Sequence, residues 1–455
     1  MSNISQIAYS GINAAQIGLT TTGQNIANIN TPGYSRLNTV TESLSGISSL
    51  NAGGGVKVTS IRRLSNEFQN QQLWRATTEQ HYYNSSQQYL TALETLMSGD
   101  GASISSGLDQ FFAALSEASA TPGSVALRQQ IISEAKNLAQ RFNGLNSNID
   151  AQLNALREQR TAMASEINGL TTNLALLNKK IIETESINGD TSALRDQRES
   201  LTNQLSQYAA IRVGEIPDGS ISISLANGQP LVAGSTAGQL KVTETLSGEQ
   251  EVSLSFAGTS FPLKQDSFGG AFGGLYNVEY DNLRPMKSSL EQMAEQLSDM
   301  VNNTLATGFD LNGAAGQPLF AFTSGSSTDL LSVNNLSPAE LALSSAAGET
   351  GNNEVLLDLL NLKGQTITLG ASSVTLNDAY AILLGQVASA SRQNQADLDT
   401  ATAVTGQAQS QRDAVSAVSL DEEYVNMMTY QQAYQANMKV ISTANQLFDN
   451  MLAAF

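Results

Sequence analysis

Cysteine is absent from this chain of 455 residues, and histidine occurs once, at position 81. The missing cysteine excludes disulfides, thiolate-bound zinc, iron–sulfur clusters and cysteine nucleophiles. A metal site built from several histidines is excluded as well, and a Ser-His-Asp triad would have to use His81. We interpret His81 as a surface histidine, because its neighbours form a polar helical sequence.

Positive charge is scarce. The chain has 23 Lys and Arg against 41 Asp and Glu, a net charge of −18, and only 14% of its residues are charged. It lacks the clustered cations that bind nucleic-acid phosphates or anionic lipid, so we expect neither a nucleic acid nor a membrane as a partner. The weakly charged polar surface suits regular subunit packing, where an unpaired buried charge is costly. A solvated, low-complexity secreted protein would have a similar composition.

Long apolar runs are also missing. No stretch approaches the 18 unbroken apolar residues that indicate a membrane-spanning helix. Residues 1–20 have no basic segment ahead of a continuous apolar segment, so an ordinary secretory signal is not expected. These features fit export by a route that carries unfolded chains.

The motifs that carry chemistry are incomplete. The run Asp310-Leu311-Asn312-Gly313 begins like a calcium loop, but the twelfth position, which needs Glu, is Ala321. An S-x-x-K match at Ser133–Lys136 lies within a helical pattern and has no accompanying K-T-G. We interpret Trp74 as a packing or subunit-contact residue. We therefore predict no enzyme activity, no catalytic residues, no cofactor and no metal.

The N-terminal segment has a coiled-coil-like stripe with steps of three and four residues. Its members are Ala8, Ile12, Ala15, Leu19, Thr22, Ile26 and Ile29. Pro32 disfavours the α conformation at Thr31, so the helix should end before it, and Pro32-Gly33 suits a type II turn. Gly11 and Gly18 weaken the helix but allow a neighbouring helix to approach closely.

The C-terminal segment repeats this pattern. Its stripe is Tyr424, Met427, Gln431, Tyr434, Met438, Ile441, Asn445, Phe448 and Leu452. Ser419 and Glu422 predict a capping box at the start of this helix. Two ends with matching periods most simply pair with each other, but their small seam residues bury little apolar surface. We infer that copies of the same helices from other subunits complete them. The alternative is that they pack on the body of the protein.

The interior combines long helices with a central β region. Helices are predicted over about 64–97, 124–208, 282–305, 377–410 and 419–452, with a break at 186–192 inside the second. The stripe of the second runs from Leu138 to Ile181, with Arg160 filling its one gap of seven residues. Asp218-Gly219 and Asn227-Gly228 predict hairpins, and the β region should end in the glycine run 269–274. Asp196-Gln197-Arg198 reads as a solvated helical face or as a chance spacing.

The predicted fold class is α+β, mainly α. We expect a coiled-coil-like helical bundle built from both chain termini and the interior, with a small inserted β domain. The predicted domains are a terminal helical domain (1–40 plus 411–455), a mainly helical domain (41–210 plus 283–410) and the β insert (211–282).

Two segments at opposite ends of the chain carry a family likeness. The N-terminal run 25–34, NIANINTPGY, resembles the signature of bacterial flagellar rod, hook and hook-associated proteins, and 425–441, VNMMTYQQAYQANMKVI, is similar to their C-terminal helix. The interior resembles the hook-associated members at the hook–filament junction. The segments that carry this likeness are Ser35-Arg36, Arg62-Arg63, Asp196-Gln197-Arg198, Asp218-Gly219-Ser220, 227–232 and 308–313.

The resemblance implies a structural subunit that joins the flexible hook to the rigid filament. It implies self-association into a ring-like axial layer, contacts with the hook protein and the third hook-associated protein, a cytoplasmic export chaperone on the C-terminal helix, and export by the flagellar type III apparatus. The location implied is the extracellular flagellum, with a cytoplasmic stage before export.

Subunit assembly is assigned to the two terminal helices and the turn that follows the first. The candidate residues are Ile12, Leu19, Ile26, Asn28, Thr31, Pro32, Gly33, Tyr34, Tyr424, Met427, Tyr434, Met438, Ile441, Phe448 and Leu452. Three alternatives stay open: another axial protein of the hook or rod type, a secreted adhesin that binds through residues 211–282, and a secreted enzyme such as a wall hydrolase.

Overall fold

The computed structural model describes residues 2–45, 53–245, 249–370 and 372–454. The N-terminal half is mainly helical. Its elements are α1 (Ser2–Ala27), β1 (Leu37–Leu44), β2 (Gly55–Arg63), α2 (Glu67–Ser98), α3 (Ile104–Ala118), α4 (Val125–Ser186) and α5 (Ser192–Tyr208). The strands β1 and β2 form an antiparallel hairpin with a bulge at Val40/Thr41.

A β region follows. Its strands are β3 (Ile211–Glu215), β4 (Ile221–Leu225), β5 (Pro230–Ala233), β6 (Thr236–Ala237), β7 (Gln239–Glu244), β8 (Gln250–Phe256) and β9 (Thr259–Leu263). They form a four-stranded sheet in the order β3-β4-β5-β6 and a three-stranded sheet in the order β7-β8-β9. All the paired strands are antiparallel, as the turn signals predict.

The chain then returns to helices. The elements are α6 (Gly270–Asn277), a π-helical turn (Val278–Leu283), α7 (Arg284–Ala306), β10 (Phe320–Phe322), β11 (Leu331–Val333), α8 (Glu354–Asn361), β12 (Thr366–Leu369), β13 (Ser372–Thr375), α9 (Leu376–Ser416) and α10 (Leu420–Ala453). The mainly helical α+β class is therefore confirmed. Among the described residues, no helix is both long enough and apolar enough to cross a membrane.

Helix α4 organises the body. Every apolar member of the predicted stripe from Leu138 to Ile181 is buried except Met163, which is half-buried. The first part of α4, as far as Leu156, packs with α3, α7, α8 and the start of α9, whereas the part from Ala164 packs with α5, α6 and the two sheets. The sheets thus share a core with α4 and α5. The division into three domains stays a prediction.

A buried ion pair lies where the two cores meet. Arg160 occupies the gap in the stripe, pairs with Glu279 of the π-helical turn, and has no exposed side-chain surface, and neither has Glu279. The guanidinium carbon of Arg160 lies 4.3 Å from the ring centroid of Tyr276. Arg284 also pairs with Glu279, at 2.7 Å. A charge at this position is tolerated because its partner and the aromatic face replace water.

Three sequence predictions need correction. Ser419 precedes α10, but its side chain makes no capping hydrogen bond, and Glu422 pairs instead with Arg36. The glycine run 269–274 begins α6 rather than ending the sheet, because α6 packs closely on α2: a Cβ on Gly274 would lie 2.3 Å from the carbonyl oxygen of Tyr82. His81 is half-buried, and burial lowers the pKa of its imidazole.

Two other interpretations have clear outcomes. Trp74 is buried, which confirms it as a packing residue. The break predicted at 186–192 is confirmed, because α4 ends at Ser186 and α5 starts at Ser192. Helix α3, which buries both Phe111 and Phe112, is not among the predicted helices.

We predict that Arg160→Met lowers the free energy of unfolding by about 3 kcal/mol, because it leaves the buried Glu279 with Arg284 as its remaining partner. The double variant R160M/E279M should recover most of this loss, since it removes both buried charges. Urea unfolding monitored by circular dichroism measures both changes. A double variant no more stable than R160M would contradict this account of the pair.

Candidate subunit interface and its anchor

The two terminal helices, α1 and α10, lie antiparallel, and their contacts recur every seven residues. The contacting pairs, from the base of the helices towards their tips, are Asn25–Glu423, Gly18–Tyr430 and Gly11–Asn437. Seven residues further along each helix, Ile4 and Ala444 line the same cavity. Both members of a pair advance by seven, as in a coiled coil. The predicted pairing of the two chain ends is therefore confirmed.

Glycine allows the close approach of the two helices. A Cβ on Gly18 would lie 2.6 Å from the ring of Tyr430, and a Cβ on Gly11 would lie 2.7 Å from the side-chain amide of Asn437. These distances are too short for any other residue unless the side chains of Tyr430 and Asn437, or the helices, shift. The helix-weakening glycines of the sequence are therefore contact positions.

The predicted stripe of α1 faces inward. Ala8, Ala15 and Thr22 are buried, and Ile12, Leu19, Ile26 and Ile29 are half-buried. Helix α1 packs against α10 on one side and against the β1–β2 hairpin on another, where Ser10 Oγ accepts a hydrogen bond from the Val56 amide at 3.1 Å. The alternative of packing on the body therefore holds in part, through this hairpin.

The predicted stripe of α10 coincides only in part with its contact face. Glu423 and Ala444 are buried against α1, one residue before the predicted Tyr424 and Asn445. Three predicted residues, Met427, Tyr434 and Ile441, are half-buried. The other six residues of the stripe are exposed: Gln431, Asn445, Tyr424 (52%), Met438 (48%), Phe448 (50%) and Leu452 (60%).

Helix α10 therefore presents a large apolar surface to solvent. The apolar side chains that are at least 41% exposed on it are Leu420, Tyr424, Val425, Met428, Met438, Val440, Leu447, Phe448, Met451 and Leu452. A monomeric soluble protein rarely leaves so many large apolar side chains exposed on one element. Chemically, this surface is suited to packing against other apolar helices.

Asn25 ties the base of the helix pair to the body. Its Oδ1 accepts hydrogen bonds from the Tyr34 hydroxyl and the Leu37 amide, both at 2.9 Å. Its Nδ2 donates to the Leu37 carbonyl at 2.9 Å and to Glu423 Oε1 at 3.1 Å. The residue is 1% exposed, so all four hydrogen-bonding positions of a buried amide are satisfied.

The turn after α1 has the predicted form. The Tyr34 amide donates to the Thr31 carbonyl at 3.2 Å, and Gly33 has a φ of +79°, the left-handed value that a type II turn requires at its third residue. The Asn28 carbonyl accepts the Thr31 amide at 2.9 Å. Thr31 and Pro32 are exposed, whereas Asn28 and Tyr34 are half-buried.

A network of ion pairs holds this turn to α5 and α9. The Ser35 amide donates to Asp196 Oδ2 at 3.3 Å. Arg63 pairs with both Asp196 and Glu199, and Arg412 Nη2 lies 3.1 Å from a Glu199 oxygen. We call these five residues, together with Asn25, Tyr34 and Glu423, the anchor.

No pattern in the sequence predicted this network. The interpretation of Asp196-Gln197-Arg198 as a solvated face or a chance spacing is wrong, because Asp196 and Arg198 are buried. Arg198 donates to the Gly219 carbonyl at 2.7 Å, and burial is the main reason why its pKa is lowered to about 10. The partners of α5 lie 133 and 213 positions away in the sequence, so no local spacing could indicate them.

A groove of about 830 Å³ separates α1 and its turn from the α4–α5 hairpin. Gln24, Tyr34 and Leu37 lie on one side of it, and Leu176, Lys180 and Leu201 on the other. Tyr34 and Asp196 of the anchor also line this groove. The terminal helix pair is thus connected to the body by the anchor at its base and by the β1–β2 hairpin further along α1.

Tyr34 is kept protonated in the anchor. Burial first, and then the nearby Asp196, Glu423 and Asp190 carboxylates, raise the pKa of its phenol to about 12. Because the pKa in the folded protein exceeds the ordinary value of 10.0, the protonated phenol stabilises the fold below pH 10. That stability is lost as the pH rises from 10 to 12.

We predict that Tyr34→Phe lowers the free energy of unfolding by about 1 kcal/mol, since it removes one hydrogen bond to Asn25. The difference from the parent chain should stay constant from pH 7 to pH 10 and shrink above pH 10. Urea unfolding at a series of pH values measures it. A difference that already disappears near pH 8 would contradict the assigned protonation of Tyr34.

Comparison with protein families gives matches over three parts of the chain. Residues 90–320 match the family described as flagellar hook-associated protein FlgK helical domain. Residues 6–34 match the flagella basal body rod protein family, and residues 409–454 match the C-terminal family of the basal body rod FlgEFG proteins. The first of the two terminal matches contains most of α1 with its turn, and the second contains α10.

Known proteins are similar over the full length. Flagellar hook-associated protein 1 of Escherichia coli K12 is 26% identical over 99% of this chain and 100% of its own length. The protein of the same name from Bacillus subtilis 168 is 24% identical over 98% of this chain and 97% of its own. The flagellar hook junction protein FlgK from Burkholderia pseudomallei has a solved structure with a TM-score of 0.71. It is 17% identical and covers 76% of this chain and 100% of that one, which shows a shared fold.

Proposed function

This chain belongs to the family of flagellar hook-associated proteins called FlgK, and we propose on that basis that it assembles at the hook–filament junction, where it connects the flexible hook to the rigid filament. It is a structural subunit of the bacterial flagellum. The family is one of structural flagellar proteins, and we assign no catalytic function to this member.

The observation that carries the proposal is the exposed apolar surface of α10. This helix has 34 residues, so it extends for about 50 Å. Its contacts with α1 include small and polar residues, namely Gly11, Gly18 and Asn25 of α1 and Ala444 of α10. The exposed apolar side chains of α10 are free to pack against helices of neighbouring subunits, and burying them would contribute about 25 cal/mol for each Å² of apolar surface.

The partners follow from this surface and from the family. We propose that neighbouring copies of this chain cover the exposed face of α10 in a ring-like layer, and that the hook protein and the third hook-associated protein contact this layer from its two sides. The fifteen candidate residues of the terminal helices and the turn remain a prediction for this role. The half-buried Met427 and the exposed Phe448 illustrate the two environments that they occupy.

Export precedes assembly in this proposal. The completed subunit lies in the extracellular flagellum, and before export it is in the cytoplasm, where a chaperone covers the C-terminal helix and delivers the chain to the type III apparatus. The exposed Leu447, Phe448, Met451 and Leu452 near the end of α10 support such a cover, because they would otherwise promote aggregation in the cytoplasm.

The alternatives have less support. An adhesin that binds through an isolated insert of residues 211–282 would need a sheet that folds alone, whereas β3–β9 share their core with Ile167 and Leu174 of α4 and Leu205 of α5. A hook or rod protein would match the terminal families but not the helical-domain family at residues 90–320.

We predict that a strain lacking this protein makes hooks but releases its flagellin into the medium. Complementation with Phe448→Asp should fail, because a carboxylate would be buried among apolar helices at the subunit contact. The matched control is Ile187→Asp, which places the same charge at an apolar residue 78% exposed beyond the end of α4. Electron microscopy and immunoblots of the medium measure both outcomes.

Filaments that persist without the protein would contradict the proposed function. Filaments restored equally by the two aspartate variants would contradict the role of the exposed face of α10.

A further inference from the structure

The seven-residue repeat of the terminal helix pair leaves its register open. Sliding α10 by one repeat along α1 would keep a small or flexible side chain at each contact. The shifted pairs would be Gly18–Asn437, Gly11–Ala444 and Ile4–Met451. The glycine positions would accept the shorter side chains of Asn437 and Ala444, and Ile4 would cover Met451, which is 47% exposed in the observed register.

The base pair of the helices distinguishes the two registers. Asn25 and Glu423 are 1% and 2% exposed and joined by a hydrogen bond of 3.1 Å. After the shift Asn25 would face Tyr430, and Glu423 would lose its amide partner. A buried carboxylate without a partner is strongly disfavoured. The other pairs therefore permit sliding, and this pair opposes it.

We propose that Asn25 and Glu423 are the positioning pair that sets the register of the terminal helices. The register determines the position of the exposed apolar side chains of α10 along the axis of α1. That this position matters for assembly rests on the proposed function. One buried Asn specifies register in coiled coils in the same way, at some cost in stability. Here Asn25 also binds Tyr34 and Leu37, so α10 is placed relative to the body as well as to α1.

A competing cause of the register is the short connection between α9 and α10. Only residues 417–419 separate Ser416 from Leu420, and the Ser416 carbonyl accepts the Arg36 amide at 2.8 Å. Seven Gly/Ser residues inserted after Val418 remove this restraint. If the positioning pair sets the register, the chain with the longer connection keeps the observed register.

The experiment measures distances between two nitroxide labels by pulsed electron spin resonance in the full-length chain. The chain has no cysteine, so Gln24→Cys and Lys439→Cys give two unique labels, both at exposed positions. In the observed register the labels are offset by about 22 Å along the helix axis, and a shift of seven residues changes this offset by about 10 Å. The longer connection is present in every variant.

The expected result is a single narrow distance with the positioning pair intact. N25L/E423L should add a second population displaced by about 10 Å, since both registers are then apolar at the base. Glu423→Gln is the matched control: it keeps an amide oxygen as the acceptor for Asn25 and should keep the single distance. If circular dichroism shows that the leucine variant loses helix, N25A/E423A takes its place with the same expectation.

Three results would overturn the proposal: a single unchanged distance in the apolar variants, sliding in the longer chain with the pair intact, or a broad distribution in that chain. The distances are measured in the isolated subunit. They can therefore contradict the register proposal without contradicting the proposed function. The proposed function is contradicted if the deletion strain keeps its filaments.

Discussion

The close contact between α1 and α10 is the constraint on which the rest of the structure depends. Glycine at positions 11 and 18 leaves room for the side chains of Asn437 and Tyr430. At its base the pair is held by the hydrogen bonds of Asn25. The apolar side chains of α10 that α1 does not cover are exposed to solvent, where neighbouring subunits can contact them.

The body and the terminal helix pair are stabilised in different ways. Helix α4, with 62 residues and a length of about 90 Å, carries two hydrophobic cores and a buried ion pair between them. Among the described residues, the terminal pair contributes to neither of these cores. It meets the body through the β1–β2 hairpin and through the anchor, where Arg63 and Arg412 bridge to Asp196 and Glu199.

Sequence patterns correctly predicted the features that depend on residue spacing or on local backbone geometry alone. The turn at Pro32-Gly33, the pairing of the chain ends and the stripe of α4 with its Arg160 gap all follow from spacing and backbone geometry. The predicted capping box at Ser419 is wrong because Glu422 pairs with Arg36 instead. The prediction that the β region ends in the glycine run 269–274 is wrong, because the close contact of α6 with α2 requires glycine there and no local pattern indicates that contact. The charged network of α5 and the one-residue offset of the α10 contact face depend on partners far along the chain.

Hydrogen exchange along α10 tests the central claim, that neighbouring copies complete the terminal helices, most directly. In the free subunit the amides of residues 445–453, which extend beyond the last pair with α1, should exchange rapidly, whereas those near Glu423 should be protected by the anchor. In purified hook–filament junctions the amides of residues 445–453 should become strongly protected. Equal exchange of this segment in the free and assembled protein would contradict the account.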